Sequence, residues 1–252
     1  MRILVLGSVV IAHGAKRFDV ASVKGRTVLA MLALAPGVPL SAERLVDELW
    51  ADKQMGNARN ALQATVTRLR KLLESVTGCR GDEVVRTVSG GYLLDLPTEW
   101  VDAHEFTDLA ARGSACLAQD PRRAMALLDR ALRLWRGPAL PDVGDGMRCR
   151  LAATRLEERR LGAREDLITA KLAVGDGRGV VSELNELAAE YPERERFSEQ
   201  LMLALYRNGR QEEALDVFHH ARRRLATEMG LEPGRGMRNL YQAILVQDKV
   251  LG

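Results

Sequence analysis

The sequence predicts an α+β domain followed by an all-α domain. Signals for short strands, namely runs of β-branched residues and a glycine-rich hairpin turn, are confined to the first 96 of the 252 residues. After Pro97 the chain carries apolar residues at helical spacing throughout, separated by breaks of Gly, Pro and Asp. We therefore predict one domain over residues 1–96 and a second over residues 97–252.

The first domain is expected to combine a small sheet, three helices and a terminal hairpin. Pro36 ends the first helix because proline cannot continue one, and Ser41 and Asn57 are suitable N-caps for the next two. Gly90 supplies the hairpin turn. This order of elements is that of a winged helix-turn-helix. The predicted elements are strands over 3–6, 9–12 and 17–23, helices over 26–35, 41–50 and 57–73, and hairpin strands over 84–88 and 92–96.

The third predicted helix has one face suited to a protein core and another suited to DNA. Leu62, Val66, Leu69 and Leu73 fall on one side at 100° per residue. The other side carries amides, hydroxyls and cations, with no carboxylate before Glu74. Arg and Gln can hydrogen-bond to base edges in the major groove, and the other polar groups suit phosphates. An ordinary solvated helix face with a basic stripe is the alternative interpretation.

The charge distribution places any nucleic-acid surface in the N-terminal third of the chain. The net charge is +3, and residues 1–95 hold 13 Lys and Arg against 9 Asp and Glu, whereas the remainder holds 24 against 25. No apolar run approaches the roughly 18 residues of a membrane span, and the N-terminus lacks a signal-peptide pattern. We expect a cytoplasmic, nucleoid-associated protein with no membrane partner.

The second domain shows self-similarity at a spacing of 34 residues, which is the tetratricopeptide period. Val180 and Ala214 are small or apolar residues at equivalent positions, as close helix packing requires. Stacked helix pairs usually present a protein-binding surface. The matching pairs are Glu165 and Glu199, Leu167 and Leu201, Ala170 and Ala204, Gly175 and Gly209, Val181 and Leu215, and Leu184 and Phe218. The predicted helices are 103–117, 121–135, 147–174, 180–191, 195–208, 211–229 and 237–248.

Enzymatic interpretations have little support, and we predict no catalytic residue, no metal and no cofactor. The glycine-rich stretch 175–179 lies between two helices and lacks the strand and the Lys-Ser/Thr of a phosphate-binding loop. His219 and His220 lack the spacing of a zinc site. Three widely separated cysteines, Cys79, Cys116 and Cys149, indicate neither a disulfide framework nor a CxxC metal site.

Three motifs of the first domain resemble the OmpR/PhoB type of DNA-binding domain: LVDELW at 45–50, RLRK at 68–71 and RTVSGGY at 86–92. In that family the third helix enters the major groove, the hairpin wing approaches the minor groove, and the loop before the third helix touches RNA polymerase. The resemblance implies base contacts by Gln63, Ala64 and Arg68. It implies phosphate or groove contacts by Trp50, Asn60, Thr65, Thr67, Arg70, Lys71, Arg86 and Thr87. It implies a polymerase-contact loop made of Ala51, Asp52, Lys53, Gln54, Met55 and Gly56.

The wing and the third helix also depart from the family pattern. Ser89 stands where many relatives carry an arginine for the minor groove, and Asn60 and Thr67 stand where response regulators often carry arginine. The resemblance therefore implies weak minor-groove reading in this chain.

Motifs of the second domain resemble the bacterial transcriptional activation domain of the Streptomyces antibiotic regulatory protein (SARP) family. They are VDAHEF at 101–106, WRGPAL at 135–140, LMLALYRNGRQEEA at 201–214 and EMGLEPG at 228–234. The resemblance implies a small family member that activates a secondary-metabolite (antibiotic) gene cluster. It also implies a dimer that lies side by side on direct DNA repeats near the −35 region, and recruitment of RNA polymerase with its sigma factor.

Two alternative functions remain open from the residues. A repressor would occupy the same kind of promoter, and the position of its operator would distinguish it from an activator. A tetratricopeptide-type protein-interaction adaptor with little DNA affinity would show weak DNA binding that salt hardly changes, because true phosphate contacts release counterions.

Overall fold

The structure is a computed structural model that describes residues 1–50 and 57–248. Its contacts divide the chain into two compact units. The first unit contains Met1–Ala111 and Asp129–Gly162, and the second contains Arg112–Leu128 and Ala163–Gly252. Residues that follow the predicted domain boundary thus pack with the N-terminal elements, and the boundary after residue 96 stays a prediction.

A three-stranded antiparallel sheet opens the first unit. It consists of β1 (Arg2–Leu4), β2 (Val10–His13) and β3 (Lys16–Asp19), in the order β1-β2-β3. Ile3 pairs with Ile11 across the sheet, and both side chains are fully buried. The third strand ends earlier than predicted because helix α1 (Val23–Ala33) begins at Val23, where the Ser22 hydroxyl accepts a hydrogen bond from the Gly25 N–H at 3.0 Å.

The winged-helix elements follow in the predicted order, with two short additions that the sequence did not indicate. They are β4 (Leu40–Ser41), α2 (Ala42–Trp50), α3 (Ala58–Thr77), α4 (Gly81–Val84), β5 (Val85–Val88) and β6 (Gly91–Leu94). The strand β4 and the single-turn helix α4 are the additions. The second sheet has the order β4-β6-β5, so β4 pairs with the inner strand of the hairpin.

Caps and glycines explain where these elements begin. The Ser41 hydroxyl accepts from the Arg44 N–H at 3.2 Å, as predicted for the start of α2. Asn57 occupies the N-cap position of α3, but its side chain makes no capping hydrogen bond, contrary to the prediction. Gly90 has a φ of +74° in the hairpin turn. A Cβ on Gly91 would lie 2.0 Å from the Leu40 carbonyl oxygen, so the pairing with β4 requires glycine there.

The apolar face of α3 enters the core of the first unit. Leu62, Val66, Leu69 and Leu73 are at most 3% exposed, which confirms the predicted inner face of this helix. Burying side chains of this size contributes roughly 1.5–3 kcal/mol each. The opposite face of α3 is therefore held toward solvent.

Buried carboxylates join the winged helix to the later segment of the same unit. Glu48 of α2 accepts hydrogen bonds from the Arg148 N–H at 3.0 Å and the Cys149 N–H at 2.8 Å, in the first turn of helix α7 (Met147–Ala173). A Cβ on Gly146 would lie 2.1 Å from the Glu48 carboxylate. Glu48 thus caps a helix that starts about a hundred residues later.

Asp102 makes an equivalent connection at the start of helix α5 (Asp102–Cys116). Its carboxylate accepts from the Val5 N–H at 2.7 Å and the Leu6 N–H at 3.1 Å, with the Arg136 guanidinium 3.5 Å away. Burial raises the pKa of Asp102, although the two backbone donors and Arg136 act in the opposite direction. The two residues that follow β1 by one and two positions are therefore tied to the start of α5 by a buried acid.

The regular elements of the second unit are helical throughout its described residues. Helices α6 (Pro121–Leu132) and α7 each have residues in both units. The helices that lie wholly in the second unit are α8 (Val181–Glu190), α9 (Glu195–Arg207), α10 (Gln211–Arg224) and α11 (Arg235–Leu245). Gly175 and Gly209, 34 residues apart, both adopt positive φ, at +89° and +76°. Val180 and Ala214 are fully buried, as predicted for close helix packing. In the described part of the chain, no helix is both long and apolar enough to cross a membrane.

Three predicted helices extend three or more residues past the observed ends. Helix α6 ends at Leu132 rather than at 135, α11 ends at Leu245 rather than at 248, and the largest difference is in α10. The helix expected over 211–229 ends at Arg224, and Leu225–Met229 continue it as a single π-helical turn. Gly230 then terminates the segment with a φ of +66°, a left-handed conformation that glycine adopts without steric cost.

Candidate nucleic-acid interface

The exposed face of α3 carries most of the residues for which DNA contacts were predicted. Gln63, Ala64 and Arg68 are exposed, and the two side chains that could read bases lie on adjacent turns of the helix. The Nε of Arg68 donates to the Ala64 carbonyl at 3.2 Å, and no carboxylate of the described residues pairs with its guanidinium. Asn60, Thr67 and Lys71 are exposed beside them.

Thr65 lies on the other side of the helix. It is only 4% exposed, and its hydroxyl donates to the Ala61 carbonyl at 2.8 Å. Thr67 makes the same kind of bond to Gln63, but its side chain remains exposed. Thr65 thus packs within the domain, whereas Thr67 stays on the exposed face.

Arg70 and Thr87, both predicted to contact DNA, are bonded to each other. The Nη2 of Arg70 donates to the Thr87 hydroxyl at 2.8 Å, and its Nε donates to the Val85 carbonyl at 2.8 Å. The guanidinium also lies 5.8 Å from the centre of the Tyr92 ring. One arginine of α3 therefore contacts both strands of the hairpin and orients it.

Arg86 on the outer hairpin strand has a partner of its own. Its Nη1 lies 2.8 Å from an Asp95 carboxylate oxygen, and both side chains are about half exposed. Exposed ion pairs of this kind typically contribute about 0.2–1 kcal/mol. The pair leaves Arg86 at the surface of the wing.

Trp50 is the last residue of α2, and its side chain is only 7% exposed. The ammonium of Lys24 lies 4.3 Å from the centre of its indole ring, which is a cation–π distance. Its indole N–H is buried and has no acceptor among the described residues. The predicted polymerase-contact loop, residues 51–56, lies outside the described residues.

A cleft between α3 and the hairpin brings together residues from β4, α2, α3 and both hairpin strands. It has a volume of about 460 Å³ and is lined by Gln63 and Thr87, among others. Glu43 and Arg59 also line it, and neither was predicted as a site residue. They lie on different helices, so no local sequence pattern connects them.

Comparisons with known proteins identify the family. The model of the bacterial transcriptional activator domain matches residues 101–245, and that of the transcriptional regulatory protein C-terminal domain matches residues 21–94. Transcriptional regulator RedD of Streptomyces coelicolor is 46% identical to this chain, and the similarity covers 100% of this chain and 72% of the length of RedD. The chain belongs to the SARP family. Regulatory protein DnrI of Streptomyces peucetius is 36% identical, over 98% of this SARP chain and 93% of its own.

A solved structure supports the fold of this SARP-family chain. Mycobacterium tuberculosis EmbR in complex with low affinity phosphopeptide is similar with a TM-score of 0.93 and 31% identity, over 98% of this chain. This chain spans 65% of the solved EmbR chain and 25% of regulatory protein AfsR of Streptomyces griseus, which is 36% identical. The predicted fold class, a winged helix followed by a helical domain, is confirmed. The matching families and relatives are transcriptional regulators, which confirms the prediction of a non-enzymatic protein.

Proposed function

We propose that this regulator activates transcription by binding DNA sequence-specifically and recruiting RNA polymerase holoenzyme to a secondary-metabolite gene cluster. The observation that carries the proposal is the exposed face of α3, where Gln63, Ala64 and Arg68 project from a helix whose other face is buried. A helix of this width fits the major groove of B-DNA. Membership in the SARP family supports the class of target gene.

Base recognition is assigned to three residues of α3. Arg68 suits the O6 and N7 atoms of guanine, and Gln63 suits the N6 and N7 atoms of adenine, each through paired hydrogen bonds. Ala64 lies between them and offers a methyl group that suits the thymine methyl. Each bidentate contact contributes about 1–3 kcal/mol of discrimination between bases.

Phosphate contacts are assigned to the polar groups that surround these three residues. Asn60, Thr67 and Lys71 lie on the exposed face of α3, and Arg86 lies on the wing. Trp50 has a buried indole N–H that lacks an acceptor among the described residues, and a phosphate oxygen would reach it only after the groups that cover it move. Arg70 and Thr87 act mainly by holding the wing beside α3.

Recruitment is assigned to surfaces that DNA binding would position against polymerase. Two copies would bind direct repeats as a side-by-side homodimer near the −35 region, and the segment 51–56 and the helical domain would contact polymerase and its sigma factor. The resemblance to the OmpR/PhoB and SARP families is the support for this step. We place the protein in the cytoplasm, associated with the nucleoid.

The first experiment is selection of genomic DNA fragments by the purified full chain, followed by titration of an enriched fragment and a scrambled fragment over a salt series. We expect a shared direct repeat with half-sites about one DNA turn apart, and specific binding tighter than scrambled by roughly 10³-fold or more. Arg68→Gln should relax the base preference at one position of each half-site, whereas Lys16→Gln, an exposed cation in β3, should not.

The negative result points to a different function. If no fragment is enriched and binding is weak at every salt concentration, the DNA-reading assignment of α3 is wrong. A groove of about 550 Å³ among α8, α9 and α10, lined by Leu201, Leu205 and Val217, then favours a protein-interaction adaptor. A repressor would instead bind the selected repeat and lower transcription from a promoter that overlaps it.

A further inference from the structure

Glu43 and Arg59 face each other in the cleft between α3 and the hairpin. Arg59 Nη2 lies 3.4 Å from Glu43 Oε1, and the two side chains are 74% and 77% exposed. Glu43 belongs to the first turn of α2 and Arg59 to the first turn of α3. Because Gln63 and Thr87 line the same cleft, this ion pair lies on the surface that we expect to face DNA.

The ion pair is of a kind that breaks easily. A single contact at 3.4 Å between two largely exposed side chains is screened by water and opposed by side-chain entropy. A phosphate oxygen, in contrast, forms a charge-assisted hydrogen bond with a guanidinium. Double-stranded DNA presents one such charge about every 1.7 Å along its axis. Arg59 can therefore exchange a weak partner for a stronger one when DNA arrives.

The carboxylate of Glu43 acts against DNA in the same place. Among the described residues that line this cleft it is the acidic one, and it lies beside Gln63, to which we assign a base contact. While it is paired with Arg59, it cancels the charge of a cation that would otherwise attract DNA.

We propose that Arg59 is a phosphate-contacting residue that Glu43 neutralises in the free protein, so that Glu43 lowers affinity for DNA of any sequence. The inference rests on the proposed DNA-binding function and adds a contact to it. Arg59 exchanges Glu43 for a phosphate on binding. The release of Glu43 is part of the cost of every complex, specific or not.

The test is a double-mutant cycle with the full chain. Dissociation constants for the enriched operator fragment and a scrambled fragment are measured over a KCl series for wild type, Arg59→Gln, Glu43→Gln and the double variant. Arg59→Gln should weaken both complexes by roughly 3- to 10-fold and lower the salt slope by about one unit. Glu43→Gln should tighten both complexes by a similar factor, and the double variant should match Arg59→Gln.

Controls separate this role from a structural one. Glu43 also favours the positive end of the α2 dipole, so thermal unfolding of each variant is recorded and a change in affinity is compared with it. Arg44→Gln removes a neighbouring exposed cation of α2 that does not line the cleft. Made in each of the four proteins of the cycle, it should leave the ratios of their dissociation constants unchanged. A small loss of melting temperature in Glu43→Gln together with tighter binding agrees with the proposal, because lost helix stability cannot raise DNA affinity.

Two results would overturn it. The first is that Arg59→Gln binds with the wild-type affinity and salt slope, which would leave Arg59 as a partner of Glu43 alone. The second is that Glu43→Gln tightens binding equally in the Arg59→Gln background, which would mean that Glu43 repels DNA directly. Failure of the proposed function is distinguishable, because then the wild type itself would select no fragment, and the inference would fall with it.

Discussion

Arg70 connects helix α3 to the hairpin by donating to the Thr87 hydroxyl at 2.8 Å. The same guanidinium donates to the Val85 carbonyl and lies against the Tyr92 ring. A forked, planar donor can make these contacts together. This side chain therefore helps to fix the angle between α3 and the wing, together with the pairing of β4 and β6.

We predict that Arg70→Lys loosens the wing although it keeps the positive charge. A lysine ammonium lacks the fork that contacts Val85 and Thr87 together, so the amides of β5 should exchange with solvent faster in hydrogen-exchange mass spectrometry. DNA affinity should fall by roughly 3- to 10-fold. Lys71→Gln is the matched control: it removes an exposed charge next in sequence and should lower the salt slope without changing exchange in β5. Wild-type exchange in Arg70→Lys would contradict this role.

We predict that Glu48→Gln destabilises the protein whereas Asp47→Asn does not. Glu48 is buried and accepts from two backbone N–H groups of α7, while Asp47 is the exposed acid beside it. Weakening hydrogen bonds to a buried charged group typically costs about 1–3 kcal/mol. Urea unfolding monitored by circular dichroism would show a lower midpoint for Glu48→Gln only. Equal midpoints for the two variants would mean that the cap contributes little.

The raised pKa of Asp102 leads to a prediction about pH. Burial disfavours the charged form, so the folded protein binds the proton more tightly than the unfolded chain does. The resulting contribution to stability is complete below the ordinary value of 3.8 and is lost as the pH rises through the folded pKa. The unfolding free energy of wild type minus that of Asp102→Asn should therefore fall as the pH is raised from 4 to 7.

The opposite trend would overturn that prediction. A difference that grows with pH would mean that the Val5 and Leu6 amides and Arg136 outweigh burial, and that the folded pKa of Asp102 is lowered. Asp102→Ala is a useful companion, because it leaves both amides without their acceptor. It should be less stable than Asp102→Asn at every pH, by roughly 1–3 kcal/mol.

Cysteine reactivity provides a prediction that does not involve DNA. Burial, and secondarily the nearby Glu48 carboxylate, raises the pKa of the Cys149 thiol to about 12. At pH 8 only about one molecule in 10⁴ then carries the reactive thiolate. Brief maleimide labelling of the native protein should modify the exposed Cys79 and spare Cys149, as read by peptide mass spectrometry. In urea all three cysteines should react, and native labelling of Cys149 at the rate of Cys79 would refute the burial argument.

Local sequence pattern was sufficient to predict most of the secondary structure and the α3 side of the candidate DNA interface. The apolar spacing of Leu62 and Leu69 predicted the buried face of α3, and the glycines at 90 and 91 predicted the hairpin turn. The start of α1 was misplaced because the capping bond from Ser22 was not recognised. These features depend on groups within a few residues of each other, where periodicity and turn chemistry are informative.

The sequence by itself determined the family, the order of the elements and the polar face of α3. Only the tertiary structure decided that Thr65 is buried, that Arg70 holds Thr87, and that Glu43 lies 3.4 Å from Arg59. It alone joined Glu48 to the start of α7. The physical reason is that these contacts join residues from different elements, up to about a hundred positions apart. Helical periodicity records which face of an element is apolar, but not which partner that element meets.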